Sequence, residues 1–307
     1  MYSLPNRPSY TTRTVSVTGL LDDAFQILKR HFILFFGIAA IVVVPFSLLI
    51  AYANARATPN YQAHVRHLRD LTDRVSGTVD LDQAAVTGAV EDVMKDIGKM
   101  LAIGGTLSVI EYSLMGAALA VAVAESYAER PTTIRRCYKT ALARLAPTIA
   151  SALAVGIGLV VLGTLPATLA TVAGSPGLGV VLLMISMILV LFYGVRVSLY
   201  LQAVVLERQN VSSILRSYRL TADFFWKTLG LLVLTTVTVA LLIILTDTIV
   251  LHATDNSEPI DTVVNLIITT ATMPLVLCAQ TLLFLDLKTV REGFSTEQLV
   301  TDLNALQ

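Results

Sequence analysis

Long apolar stretches alternate with short polar segments along the chain. Six stretches are long enough to cross ~30 Å of hydrocarbon, which takes roughly 20 helical residues. They lie near 32–55, 99–125, 146–171, 178–206, 228–251 and 262–286. Backbone groups in lipid must be hydrogen-bonded within their own segment, so runs of this length predict helices rather than strands. The pattern predicts an all-α, polytopic membrane protein with six transmembrane helices.

Composition supports this class. Of the 307 residues, 55% are hydrophobic and only 14% are charged, and the mean hydropathy is +0.72. The net charge of +0 gives no reason to expect a nucleic-acid partner. We expect a single membrane domain over 1–307, with an outer helical loop at 56–98 and a cytoplasmic tail at 287–307.

Lysine and arginine are unevenly distributed between the connections. They are frequent before the first, third and fifth spans and after the sixth, whereas the loops at 174–177 and 252–260 contain none. Cytoplasmic loops carry the excess of basic residues in membrane proteins. The distribution therefore predicts a multi-pass protein with both termini in the cytoplasm.

Each odd-numbered span is preceded by a segment with helical amphipathic spacing, at 18–31, 132–145 and 211–226. In the third segment one face would hold Ile214, Leu215, Tyr218, Ala222 and Phe225, and the opposite face Arg216, Arg219, Asp223 and Lys227. We expect all three helices to lie in the cytoplasmic interface. The basic residues expected to face anionic head groups or a protein partner are Arg135, Arg136, Lys139, Arg216, Arg219 and Lys227.

The three segments also resemble one another. At one constant offset Ile134, Arg136 and Tyr138 correspond to Ile214, Arg216 and Tyr218, and at another Leu21, Phe25 and Gly37 correspond to Ile214, Tyr218 and Gly230. This favours three repeats, each an interfacial amphipathic helix followed by a transmembrane hairpin. The alternative is coincidence, because any cytoplasmic helix before a span must be amphipathic and basic.

Three motifs resemble a known family. The stretch "VVLERQNVSSILRSYRLTADFFWKTLGLLVL", the ending "TLLFLDLKTVREGFSTEQLV" and the opening "SVTGLLDDAFQILKRHF" are similar to the membrane domain of glycerophosphoryl diester phosphodiesterases and to its stand-alone bacterial multi-pass relatives of uncharacterised function. The resemblance runs from about Ser16 to Leu303. It implies a bacterial cell-membrane protein. The phosphodiesterase activity is not implied, because the membrane architecture accounts for all 307 residues.

Two charged residues fall inside predicted spans. Glu111 lies in the second and Arg196 in the fourth, and an arginine at the centre of a membrane helix costs ~2.5 to 3.5 kcal/mol on insertion scales. Counted from the cytoplasmic ends of these helices, their depths differ by about 4 to 5 Å. We expect an ion pair that is either a packing element or part of a polar cavity for a lipid head group or an ion.

Other candidate sites have ordinary explanations. His64, His67 and Asp70 have helical spacing that could present metal ligands, but a solvated charged helix explains them better, and no metal or other cofactor is expected. Near the carboxyl terminus, Gly293 is placed to end the last transmembrane helix. Ser295 and Gln298 form a capping box for a short further helix.

Two classes of function fit the sequence. The first is a non-enzymatic membrane module, a scaffold or lipid- and protein-interacting element whose basic interfacial helices contact the cytoplasmic leaflet. The alternative is a small-molecule or lipid transporter with a polar cavity around Glu111 and Arg196. The first is favoured because carriers usually place several polar residues and broken helices in their spans. No serine–lysine, His-rich metal or paired-Asp motif in the spans points to an enzyme.

Overall fold

The computed structural model describes residues 15–75, 83–172, 176–253 and 258–305. The regular structure within these ranges is entirely helical. The helices are α1 (Val17–Arg30), α2 (Phe32–Ala57), α3 (Tyr61–Val75), α4 (Gln83–Tyr127), α5 (Ile134–Ala143), α6 (Leu145–Val172), α7 (Pro176–Val197), α8 (Tyr200–Leu206), α9 (Ser213–Leu220), α10 (Phe225–Ala253), α11 (Glu258–Glu292) and α12 (Thr296–Ala305).

Six stretches of helix in the described part of the chain are long and apolar enough to cross a membrane. They are Phe32–Ala57, Ala85–Tyr127, Leu145–Pro166, Gly179–Leu206, Phe225–Thr246 and Val263–Glu292. Many of their large apolar side chains are exposed, for example Ile33 at 86% and Met187 at 70%. A folded chain exposes apolar surface on this scale where a membrane or a partner covers it. The prediction of an all-α, six-span membrane protein is confirmed.

The second and fourth spans are not simple helices of membrane-spanning length. The second belongs to the 45-residue helix α4, which takes in the second half of the outer segment, in line with the helical loop expected at 56–98. The fourth is interrupted: α7 ends at Val197, Ser198 and Leu199 form a turn, and α8 begins at Tyr200. The interruption contains neither proline nor glycine, the residues that usually mark such a break, and so it was not predicted.

The end of the chain follows the predicted capping pattern. Gly293 ends α11 in the left-handed region with φ of +65°, a conformation that glycine adopts without steric cost. The Ser295 amide donates to the Gln298 side chain at 3.0 Å, and the Gln298 amide donates to Ser295 Oγ at 3.3 Å. The capping box is confirmed, and Leu299 and Leu303 of α12 are buried.

Internal contacts divide the chain into two compact units, Met1–Ile41 with Ser113–Gln307, and Val42–Tyr112. In the smaller unit the helix α4 approaches α2 closely at Gly104, where an added Cβ would lie 3.5 Å from the Asn54 side chain and 3.6 Å from Ile50. In the larger unit α6 packs against α7 and α10 against α11. Its core includes the fully buried side chains of Phe35, Phe284, Leu119, Leu201 and Leu231.

The short helices α1, α5 and α9, which precede the first, third and fifth spans, each begin against a small residue of another span in the larger unit. A Cβ on Gly230 of α10 would lie 3.6 Å from Val17, and one on Gly37 of α2 would lie 3.3 Å from Ile134. At the start of α9 the Ser213 hydroxyl bonds to the Ser151 hydroxyl of α6 at 3.2 Å. Small residues at these points let the short helices lie directly on the spans.

Candidate functional site at the span ends

The interruption of the fourth span is bridged by helix α9. Ser217 Oγ donates to the Arg196 carbonyl oxygen at 2.9 Å and accepts a hydrogen bond from the Leu199 amide at 3.1 Å. The Thr221 hydroxyl adds a second donor to the same carbonyl at 3.2 Å. A helix interruption frees backbone groups that must be satisfied when they are buried. Side chains of α9 satisfy them, and this fixes α9 against the fourth span.

Arg216, on the adjacent position of α9, joins the ends of the fourth and sixth spans. Its Nε and Nη2 donate to the two carboxylate oxygens of Glu207 at 2.7 and 2.8 Å, and Nη2 also donates to Glu292 at 2.8 Å. This fork geometry is the strongest form of side-chain ion pair. Hydrogen bonds to Glu207 and then Glu292 raise the pKa of Arg216 above its usual value. The guanidinium is therefore charged and held in ion pairs with Glu207 and Glu292.

Lys288 extends this cluster to the last helix. Its Nζ lies 3.3 Å from Glu207 and 3.5 Å from Asp302 of α12, and 3.6 Å from the centre of the Phe294 ring. Arg130 donates to the Val300 carbonyl of α12 at 3.4 Å. These contacts, with the buried Leu299 and Leu303, hold α12 against the ends of the spans.

Two further predicted surface cations are also paired within the protein. Arg136 Nε lies 2.8 Å from Oε1 of Glu125, a carboxylate that is 1% exposed at the end of the second span. Lys227 Nζ lies 2.5 Å from Asp286 Oδ2, and the other Asp286 oxygen accepts from the Val15 amide at 3.4 Å. The sequence pattern predicted that these cations would lie on the exposed charged face of each helix. It did not predict their carboxylate partners, because these lie on other helices.

The remaining basic residues of α5 and α9 are exposed. Arg135, Lys139 and Arg219 are all on the surface, and the nearby apolar side chains of Leu142 and Leu215 are more than half exposed. The inward face of α9 is formed by Ser213, Ser217 and Leu220, and that of α5 by Cys137, Thr140 and Ala141. On α5 and α9 mostly small residues therefore face the protein, and large apolar and basic residues face outward.

Arg196 is surrounded by aromatic rings in the larger unit. Its guanidinium carbon lies 5.1 Å from the centre of the Phe192 ring, 5.0 Å from that of Tyr218 and 5.7 Å from that of Phe225. These distances are typical of cation–π contacts. Its Nε and Nη1 are buried, and no described residue forms a hydrogen bond with them. The rings stabilise the buried positive charge, and neither the rings nor α9 could be located from the span pattern.

Glu111 belongs to the smaller unit and is intermediate in exposure. Its pairing with Arg196 stays a prediction.

The outer histidines lie in the same unit as Glu111: His64 Nδ1 is 2.9 Å from Asp96 Oδ2, while His67 and Asp70 are exposed. In the described residues no group of three or more His, Cys, Asp or Glu side chains could hold a metal ion. The Asp96 partner was not predicted, because it lies 32 positions away on α4.

The structure and the contacts of its span ends define a multi-pass membrane protein in which three short helices lie on the ends of the spans. Comparison with protein-family models, with curated proteins and with solved structures gave no match. The resemblance to the membrane domain of glycerophosphoryl diester phosphodiesterases therefore stays an expectation drawn from the sequence motifs.

Proposed function

We propose that this chain is a non-enzymatic membrane module that binds anionic lipid head groups through the outward faces of α1, α5 and α9. The observation that carries the proposal is the composition of these faces. On α9 Arg219 is exposed beside Leu215 and Tyr218, on α5 Arg135 and Lys139 are exposed with Leu142, and on α1 Lys29 and Arg30 are exposed with Phe25. Apolar side chains can enter the acyl boundary while the cations reach phosphates.

Two recurring structural features support the proposal that the three short helices belong to one repeated unit. In the described part of the chain, the residues with positive φ are Glu129, Arg208 and Gly293, and they follow the ends of the second, fourth and sixth spans. The contacts of Val17 with Gly230, Ile134 with Gly37 and Ser213 with Ser151 also recur at the start of each short helix. Such agreement at structurally special positions is unexpected from amphipathicity alone. We infer three copies of one unit, each an interfacial helix and a hairpin.

The proposed orientation places all three short helices at the cytoplasmic leaflet of a bacterial cell membrane, with both termini inside. The excess of lysine and arginine in these connections supports it. A basic residue near an anionic leaflet contributes about 1 kcal/mol, so the exposed cations of three helices together give a substantial preference for anionic lipid. A cytoplasmic protein partner is the other ligand that such a surface could bind.

The test compares two triple variants with the same change in charge. The protein is reconstituted in nanodiscs of equimolar phosphatidylglycerol and phosphatidylcholine, and native mass spectrometry gives the ratio of the two lipids retained. We expect Arg135→Gln/Lys139→Gln/Arg219→Gln to lose the enrichment in phosphatidylglycerol. The control Arg66→Gln/Arg69→Gln/Lys95→Gln removes exposed cations of the smaller unit and should keep it. Equal ratios in the two variants would reject the proposal.

A further inference from the structure

A cavity of about 320 Å³ lies among the ends of α8, α9, α11 and α12. Its charged lining comes from Glu207, Arg208, Arg216, Lys288, Glu292 and Asp302. The volume is at the lower end of the range of small-ligand sites, about 300–1,000 Å³. Leu206 and Glu292, which also line the cavity, are the last residues of the fourth and sixth spans. The cavity is therefore at the boundary between the apolar spans and the polar connections.

The charges in this lining are unequally satisfied. Arg216 is fully occupied by Glu207 and Glu292, and Lys288 by Glu207 and Asp302. Arg208 is exposed, and no described residue forms an ion pair or hydrogen bond with its guanidinium. Asp302 is 45% exposed and is bound only by Lys288, at 3.5 Å, among the described residues. One free cation and one weakly held carboxylate thus share the cavity.

The chemistry of the free cation favours a phosphate group. Arg208 lines the cavity, and the planar fork of N–H donors of a guanidinium matches the oxygens of a phosphate.

The backbone at Arg208 determines which substitution can remove its side chain cleanly. Arg208 has φ of +54°, a left-handed conformation that favours glycine, and Glu129 and Gly293 occupy the comparable places after the second and sixth spans. This conformation commonly ends a helix, so glycine at position 208 keeps the backbone and removes only the guanidinium.

We propose that this cavity binds a phosphate ester that also carries a hydrogen-bond donor. Arg208 would bind the phosphate, and Asp302 would accept from an ammonium or hydroxyl group at the other end of the ligand. The position at the span ends fits the head group of a phospholipid, and a soluble phosphate ester has the same chemistry. This site is distinct from the exposed lipid-facing surface of α5 and α9, because none of Arg135, Lys139 and Arg219 lines it.

The test uses Arg208→Gly, which removes the guanidinium and suits the left-handed backbone. Its matched control is Glu129→Gly, which makes the same backbone change at the end of the second span. Native mass spectrometry follows retention of phosphatidylethanolamine, which has an ammonium donor, against phosphatidylcholine, which has none. Phosphoethanolamine binding to the solubilised protein is measured by calorimetry. Arg208→Gly should weaken binding at least about tenfold, because a charge-assisted contact is lost, without lowering the unfolding temperature.

The two arms distinguish the source of the phosphate. Loss of phosphatidylethanolamine retention in Arg208→Gly assigns the cavity to a lipid head group, and loss of phosphoethanolamine binding alone assigns it to a soluble ester. If Arg208→Gly and Glu129→Gly bind both probes as the wild type does, the proposal is wrong. The phosphatidylglycerol test of Arg135→Gln/Lys139→Gln/Arg219→Gln does not depend on that result. The two proposals can therefore fail separately.

Discussion

The hydroxyl of Ser217 donates a hydrogen bond to the carbonyl oxygen of Arg196 at 2.9 Å, across the interruption of the fourth span. The same oxygen atom of Ser217 accepts from the Leu199 amide at 3.1 Å. One side chain therefore satisfies both a donor and an acceptor that the interrupted helix leaves free. The relationship explains why α9 turns Ser217 inward, and it ties the position of the adjacent Arg216 to the geometry of the fourth span.

Replacing Ser217 with alanine should destabilise the protein. The change leaves the buried Leu199 amide without its partner and removes a donor from the Arg196 carbonyl, which costs about 1–3 kcal/mol. The free energy of unfolding of the solubilised protein, measured in denaturant, gives the effect. Ser212→Ala is the control: Ser212 is exposed, and among the described residues its hydroxyl donates only to the Gln209 side chain, so its effect should stay within about 0.5 kcal/mol. Equal effects of the two substitutions would contradict the bridging role.

The division of each short helix into two faces could be predicted from the sequence, but not what each face contacts. At a membrane interface the large apolar side chains of α9 can face acyl chains while small polar ones face the protein. The pattern therefore located Leu215 and Tyr218 on one face and did not show that Ser213 and Ser217 form the buried contact. The helix end at Gly293 and the capping box of Ser295 and Gln298 could be predicted, because each depends on residues only a few positions apart.

Arg216 should be more important for stability than for lipid binding. Its guanidinium bonds to Glu207 and Glu292, and removal of a group that bonds to charged partners costs about 1.5–3 kcal/mol. We expect Arg216→Gln to lower the free energy of unfolding by this amount. Arg216→Lys should recover only part of the loss, because an ammonium group cannot form the two-pronged contact with Glu207.

The control for Arg216 is Arg219→Gln, on the same helix. The Arg219 side chain is exposed and no described carboxylate pairs with it, so its loss should change stability by less than about 0.5 kcal/mol. A double-mutant cycle of Arg216→Gln with Glu207→Gln isolates the pair itself. A coupling energy near zero would show that the two side chains do not stabilise the fold together.

The ion pairs of Arg136, Arg216 and Lys227 could not have been predicted from charge alone. An excess of basic residues in a connection indicates the side of the membrane, and it does not distinguish a cation that contacts lipid from one that pairs with the chain. The carboxylates concerned lie at the ends of spans: Glu125, Glu207 and Asp286. Recognising a partner requires knowing which span ends adjoin, and that depends on helix packing rather than on local pattern.

Cys137 should react slowly with thiol reagents in the folded protein. It is fully buried on the inward face of α5, and burial raises the pKa of its thiol to about 11. A raised pKa keeps an acid protonated to higher pH, so at pH 8 the reactive thiolate is scarcer than for an ordinary cysteine. Mass spectrometry after N-ethylmaleimide treatment should find Cys137 unmodified, and modified once the protein is unfolded. Arg135→Cys places an exposed thiol on the same helix and should be labelled quickly; equal labelling of both positions would place Cys137 at the surface.

Substitution of Gly293 by alanine tests the left-handed end of the sixth span. An added Cβ at Gly293 would meet no atom within 4 Å, so the cost of the substitution comes from its φ of +65° alone. A residue with a Cβ pays roughly 1–2 kcal/mol in this conformation, and Gly293→Ala should lower the free energy of unfolding by about that amount.

The matched substitution is Gly88→Ala in α4, where a Cβ is equally free of contacts but the backbone is helical. There alanine should stabilise by about 0.5–1 kcal/mol, because it loses less backbone entropy on folding. Opposite signs for the two variants are required, since both add the same methyl group to open space; a loss at both positions would mean that the added group itself, and not the backbone conformation, is responsible.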